Sequence, residues 1–207
     1  MSISAHRIMA WLSPSFPTGA FAYSHGLEYA IHAGDVTNAK ELEDWLQTLL
    51  RFGAARNDAI LLAHAYRGEE VADLASALAG SKERHQETWD QGRAFARTAQ
   101  SLLGVQIDAT PLPCVLGQAA AQAHIDLQEF LPMALHAFAA NLVSAAVRLV
   151  PLGQTTGQTV LQNLFPIIDD IAAEAMRATL DDLGNMAFRS DIASMKHETM
   201  TTRIFRT

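Results

Sequence analysis

Cysteine is nearly absent. Cys114 is the single one in 207 residues, so no intrachain disulfide can form, in agreement with a reducing compartment. It stands between Pro113 and Val115 with no His or Cys at ligand spacing, and reads as a small buried hydrophobe. Charge is scarce too: 18% of residues are charged against 49% hydrophobic, which leaves apolar surface for a partner to cover. The net charge of −7 makes a phosphate backbone a poor partner, because nucleic-acid affinity rests on cations. No stretch approaches the ~18 uninterrupted apolar residues of a membrane span. The best candidate, 142–150, contains Arg148. The start of the chain lacks a basic region followed by an apolar run and a cleavage site. These absences point to a cytoplasmic chain that binds neither nucleic acid nor membrane.

Chemical motifs are missing as well. There is no G-x-x-x-x-G-K-[ST] loop to cradle a nucleotide and no G-x-S-x-G elbow to expose a nucleophile. The eight histidines (His6, His25, His32, His64, His85, His124, His136 and His197) form no i, i+4 pair, no HExxH and no Cys–His cluster. We therefore expect no enzyme activity, no cofactor and no resident metal. A transient metal site completed by a second chain stays open.

What is present is helical periodicity, with few strand signals. Leu42, Trp45, Leu46, Leu49 and Leu50 fall on one face of a segment at 38–51, and Asn38 with Glu41 has the spacing of a capping box. Further helices are predicted at 3–12, 21–32, 54–66 (continuing past Gly53), 71–79, 82–103, 114–124, 128–149, 155–164 and 167–180, with a terminal one from about 188. Pro132 is placed in the first turn of the most apolar helix, and Phe165-Pro166 marks a stop or kink. One all-α globular domain of about eight to ten helices, 1–207, is the simplest account.

Two segments are dense in special residues. At 13–28, two prolines and a glycine steer the chain into a helix containing Gly26, with Tyr23, Ser24 and Glu28 beside the turn. This corner reads equally as structural or as an interface. At 187–207, four cations oppose two carboxylates, a net of two positive charges on a chain that is otherwise acidic. Ile204 and Phe205 lie between Arg203 and Arg206. An apolar pair flanked by guanidinium groups suits docking onto another protein. The same pattern also suits a helix end that closes the chain's own core.

Three patterns carry a resemblance. They are S-P-x-x-P-x-G-x-F-x-Y-S-x-G-L-E at 13–28, N-L-V-S-A-A-V-R-L-V-P-L-G-Q-T-T-G-Q at 141–158, and S-M-x-H-E-x-x-x-x-R-[IL]-F-R-[ST] at 194–207. In this order they resemble the urease accessory protein UreF family across the full length. Ala20, Ala22 and Thr201-Thr202 stand where that family commonly has glycine, serine and Tyr-Ser. The resemblance implies an all-α homodimer that is not an enzyme. Such a protein bridges the accessory protein UreD (also called UreH) to the GTPase UreG, so that nickel reaches apo-urease. It implies a partner or dimer interface at Tyr23, Ser24, Gly26, Glu28, Met195, His197, Glu198, Arg203, Ile204, Phe205 and Arg206. Tyr23 and Arg203 would lie near the dimer and GTPase-facing surface, and the tail from Ser194 would be ordered mainly with UreD/UreH bound. An alternative role is to stimulate or gate the GTPase through the C-terminal arginines.

Overall fold

The computed structural model describes residues 2–104 and 106–207. Among them the regular structure is helical throughout: α1 (Ile3–Trp11), α2 (Leu27–His32), α3 (Ala39–Phe52), α4 (Ala54–Tyr66), α5 (Ala72–Ala77), α6 (Lys82–Leu103), α7 (Leu112–Gln122), α8 (Leu127–Leu149), α9 (Gln154–Asn163), α10 (Phe165–Ala175) and α11 (Phe188–His197). Short 3₁₀ turns occupy Ala20–Ala22 and Leu180–Asp182. Helices α2 and α5 are six residues each, so nine longer helices carry the all-α fold.

Helix α3 shows how the sequence builds these elements. The Asn38 carboxamide oxygen accepts the Glu41 N–H at 3.1 Å. The Glu41 carboxylate turns back to the Thr37 N–H at 2.8 Å. Leu42, Trp45, Leu46, Leu49 and Leu50 are buried along one face, while Lys40 and Asp44 are exposed. Three expectations need correction. Helix α3 does not continue past Gly53: extended backbone there (ψ −157°) separates it from α4. A Cβ at Gly53 would lie 2.9 Å from the Ala187 Cβ, so the break is also where the chain before α11 crosses. Pro132 lies inside α8 rather than in its first turn, because Asp126 caps the helix at Gln128 and starts it at Leu127. Finally, α8 is long and apolar enough to cross a membrane, with mean hydropathy 1.6 over its best window, even with polar interruptions such as His136 and Asn141. Its place in the bundle, against α2, α4, α9 and α10, accounts for that apolarity.

One continuous core runs from Ile8 to Ala193 and is braced by aromatic contacts. The Trp11 ring meets Phe95 and Phe130 edge-on, with centroids 5.6 and 6.4 Å apart. Helix α7 crosses α4 at Gly117, where a Cβ would come within 2.3 Å of the Leu62 carbonyl oxygen. Cys114 is buried in a small satellite cluster with Leu61, Ala65, Val71 and Ala75, and burial pushes its thiol up to about 12. It is the small buried hydrophobe the sequence suggested.

Candidate partner-docking site

The N-terminal corner is not continuous helix. His25 and Gly26 both adopt positive φ (55° and 76°), and α2 begins only at Leu27. Gly26 is therefore outside the helix, a correction to the reading of 21–32. Two constraints select glycine there. Positive φ strains any residue with a Cβ, and a Cβ at this point would lie 2.5 Å from the Ser194 amide nitrogen in α11. Phe21 turns outward at 61% exposure, whereas Leu27, Tyr23 and Ser24 are buried. Burial raises the Tyr23 hydroxyl above its ordinary value, with Arg206 beside it opposing.

This crossing sets Glu28 against the end of α11. Glu28 is buried, and its Oε2 lies 3.0 Å from Nε2 of fully buried His197. The other ring nitrogen, Nδ1, lies 2.7 Å from Glu83 Oε2 on α6. Both ring nitrogens of His197 thus face a carboxylate oxygen. Glu28 also accepts main-chain N–H groups from the tail, Ile204 at 2.7 Å on Oε1 and Phe205 at 2.9 Å on Oε2. Burial alone would raise the Glu28 carboxyl; His197 and the two amides outweigh it and hold the group below its ordinary value. Glu83 pairs with Arg203 in addition to His197.

The tail then runs beside the corner. The Arg206 N–H donates to the Ala22 carbonyl at 2.7 Å, and the Ser24 N–H and hydroxyl both donate to the Thr207 carbonyl. The Thr207 hydroxyl reaches Glu87 Oε2 at 3.0 Å. Glu87 is wholly buried and also receives Arg84 at 2.6 Å and His25 Nε2 at 2.9 Å. Burial would raise its carboxyl, but Arg84 and His25 together hold it at about 2. Burial and the neighbouring Arg84 guanidinium keep His25 below the usual histidine value. The central motif closes the arrangement. Asn141 Nδ2 donates to the Ala20 and Tyr23 carbonyls at 3.1 and 3.2 Å. The Arg148 guanidinium sits 4.5 Å over the Phe205 ring.

The three motifs, distant in sequence, thus meet at one place. Phe205 and His197 point into the chain's own body, and the tail lies against it. Glu198 accepts the Lys82 N–H at 3.0 Å, a carboxylate at the positive end of α6. The outward members are Met195, Arg203, Ile204 and Arg206, with Ile204 71% exposed. On α11, Phe188, Ile192 and Met195 form an exposed stripe at i, i+4, i+7, continued by Met186 and by Phe52, whose carbonyl accepts the Met186 N–H. Arg189 and Lys196 flank it. Sequence reasoning missed Glu83, Arg84 and Glu87. They lie in the polar stretch of α6, where no spacing separates an inward carboxylate from a solvated one. Among the described residues no three His, Cys, Asp or Glu side chains are arranged to hold a metal ion.

The UreF family model matches residues 36–165. Over the whole of both chains the sequence is 56% identical to a urease accessory protein UreF from Cereibacter sphaeroides strain KD131. The chain belongs to the UreF family. A UreF from Mesorhizobium japonicum is 46% identical over 99% of this chain and 97% of its own. One from Rhodopseudomonas palustris strain BisA53 is 45% identical over 100% and 94%. The family model stops short of both terminal motifs. These full-length UreF relatives span them, so the corner at 13–28 and the tail at 194–207 lie within the region shared with the family.

Proposed function

We propose that this urease accessory protein is a non-enzymatic, cytoplasmic adaptor that works as a homodimer. It bridges UreD/UreH to the GTPase UreG, so that nickel is inserted into apo-urease. The observation that carries this reading is the outer surface of α11 and the tail. There Phe188, Ile192, Met195 and Ile204 are exposed beside Arg189, Lys196, Arg203 and Arg206, on a chain whose overall charge is −7. An apolar stripe bordered by cations suits a partner surface that is apolar at its centre and acidic at its rim. Ile192→Asp combined with Met195→Asp changes exposed side chains and leaves the fold intact. In cells expressing the whole maturation set, this variant is expected to lose co-purification with UreD/UreH. Undiminished capture would refute the assignment of this surface.

A second reading, control of GTP hydrolysis by a C-terminal arginine, is favoured by one feature. Arg206 is exposed while its main chain is tied to Ala22, which presents the side chain from a fixed point. Its side chain lies beside the Tyr23 hydroxyl, and that of Arg203 is engaged by Glu83. An inserted arginine can raise turnover by roughly 10³- to 10⁵-fold. Hydrolysis by UreG alone, with this protein and with Arg206→Ala decides the matter; equal rates exclude it.

A further inference from the structure

The tail does not hold its place on the body through Phe205 alone. Burial of one aromatic ring is non-directional and leaves the segment around it free to pivot. The main-chain bonds to Ala22 and Ser24 fix only its last two residues. Between α11 and Phe205 lies a loop whose residues 199 and 201–203 are exposed, and two side chains close that loop. Glu28, from α2, holds His197 on one side and the Ile204 and Phe205 amides on the other. Glu83, from α6, holds His197 and Arg203. Each carboxylate grips both ends of the loop, and buried His197 is the pin they share.

A core that needed only sealing would be served at lower cost by apolar residues, because buried ionised groups must be desolvated and then paired. Directional, charge-assisted bonds to successive amides do something that apolar packing cannot. They fix the azimuth of a segment as well as its depth.

We propose that Glu28 and Glu83, clamped about His197, are the positioning residues of the docking segment. By locking residues 203–205 to the end of α11, they set the outward arrangement of Met195, Arg203 and Ile204 that a partner protein meets. This rests on the reading of that surface as the docking site. The carboxylates themselves stay beneath it and make no partner contact.

The test uses the full chain and amide hydrogen exchange. Ile204→Pro removes the N–H that Glu28 Oε1 accepts, at a side chain that is exposed, while Ile204→Ala keeps it. Glu28→Gln exchanges one acceptor oxygen for a carboxamide NH2, a donor facing an N–H. In Ile204→Pro and Glu28→Gln the Phe205 and Arg206 amides are expected to exchange about tenfold faster or more, with α4, α7 and α8 unchanged. Ile204→Ala keeps the wild-type rates. Equal protection in Ile204→Pro and Ile204→Ala overturns the proposal, and this pair decides it even if Glu28→Gln does not fold. In the partner arm, Ile204→Pro weakens UreD/UreH binding beyond Ile204→Ala, and Glu28→Gln adds no loss once 203–207 is deleted. An added loss there overturns the positioning role. Unchanged partner binding after deletion refutes the docking reading instead, and leaves the exchange comparison to judge the clamp separately.

Discussion

At the scale of single residues, Gly26 shows how one position can serve two constraints. Its φ of 76° belongs to the left-handed region, and the α11 backbone occupies the space a Cβ would need. Neither constraint is relieved by a rotamer change, since the Ser194 contact is main chain. Gly26→Ala is expected to destabilise the fold by more than about 2 kcal/mol in urea denaturation. A shift within ~0.5 kcal/mol would show that the α2–α11 crossing yields freely. From sequence, Gly26 reads as part of the helix at 21–32. The residue's place before the helix was hidden because positive φ at His25 has no signature in a lone histidine.

At the scale of elements, helix ends were legible and helix junctions were not. Asn38 caps α3 where its spacing from Glu41 said it would. This cap is exposed, so Asn38→Ala isolates its contribution, expected at about 1 kcal/mol in chemical denaturation. An unchanged midpoint would assign the helix start to the Glu41–Thr37 bonds instead. The junction at Gly53 read as a continuing helix because a single glycine inside a helical pattern is tolerated. What breaks it is the chain at Ala187, packed against that point from far along the sequence.

At the scale of the whole molecule, buried ionisable groups tie the tail to the body and make stability depend on pH. His25 is held below its ordinary value of 6.5 and Glu87 below 4.5, at about 2. In both cases the unfolded chain takes up protons first, so acid favours unfolding. The His25 contribution is present above 6.5 and declines as pH falls through its lowered native value; that of Glu87 is present above 4.5 and is lost as pH falls toward about 2. Asp58, beside Arg84, is pushed up from 3.8 to about 6 and opposes the His25 contribution above pH 3.8, so denaturation midpoints are expected to fall most steeply below pH 4.5. Glu87→Gln is expected to flatten that acid limb while lowering stability at neutral pH, because Arg84 loses its buried partner. An acid limb identical to the wild type would place the pH dependence elsewhere.

The sequence by itself determined the all-α class, the faces of its helices and, through three separated motifs, membership of the UreF family. Periodicity and capping act over a few residues, so they survive in a linear reading. Only the tertiary structure decided that the three motifs meet, that His197 and Phe205 face inward while Met195 and Ile204 face outward, that Glu28 and Glu87 are buried, and that Glu83 turns toward His197. Those outcomes depend on which backbones cross at Gly26 and at α6. A carboxylate becomes part of a clamp only when distant donors are brought within hydrogen-bond reach, and no local pattern encodes that distance.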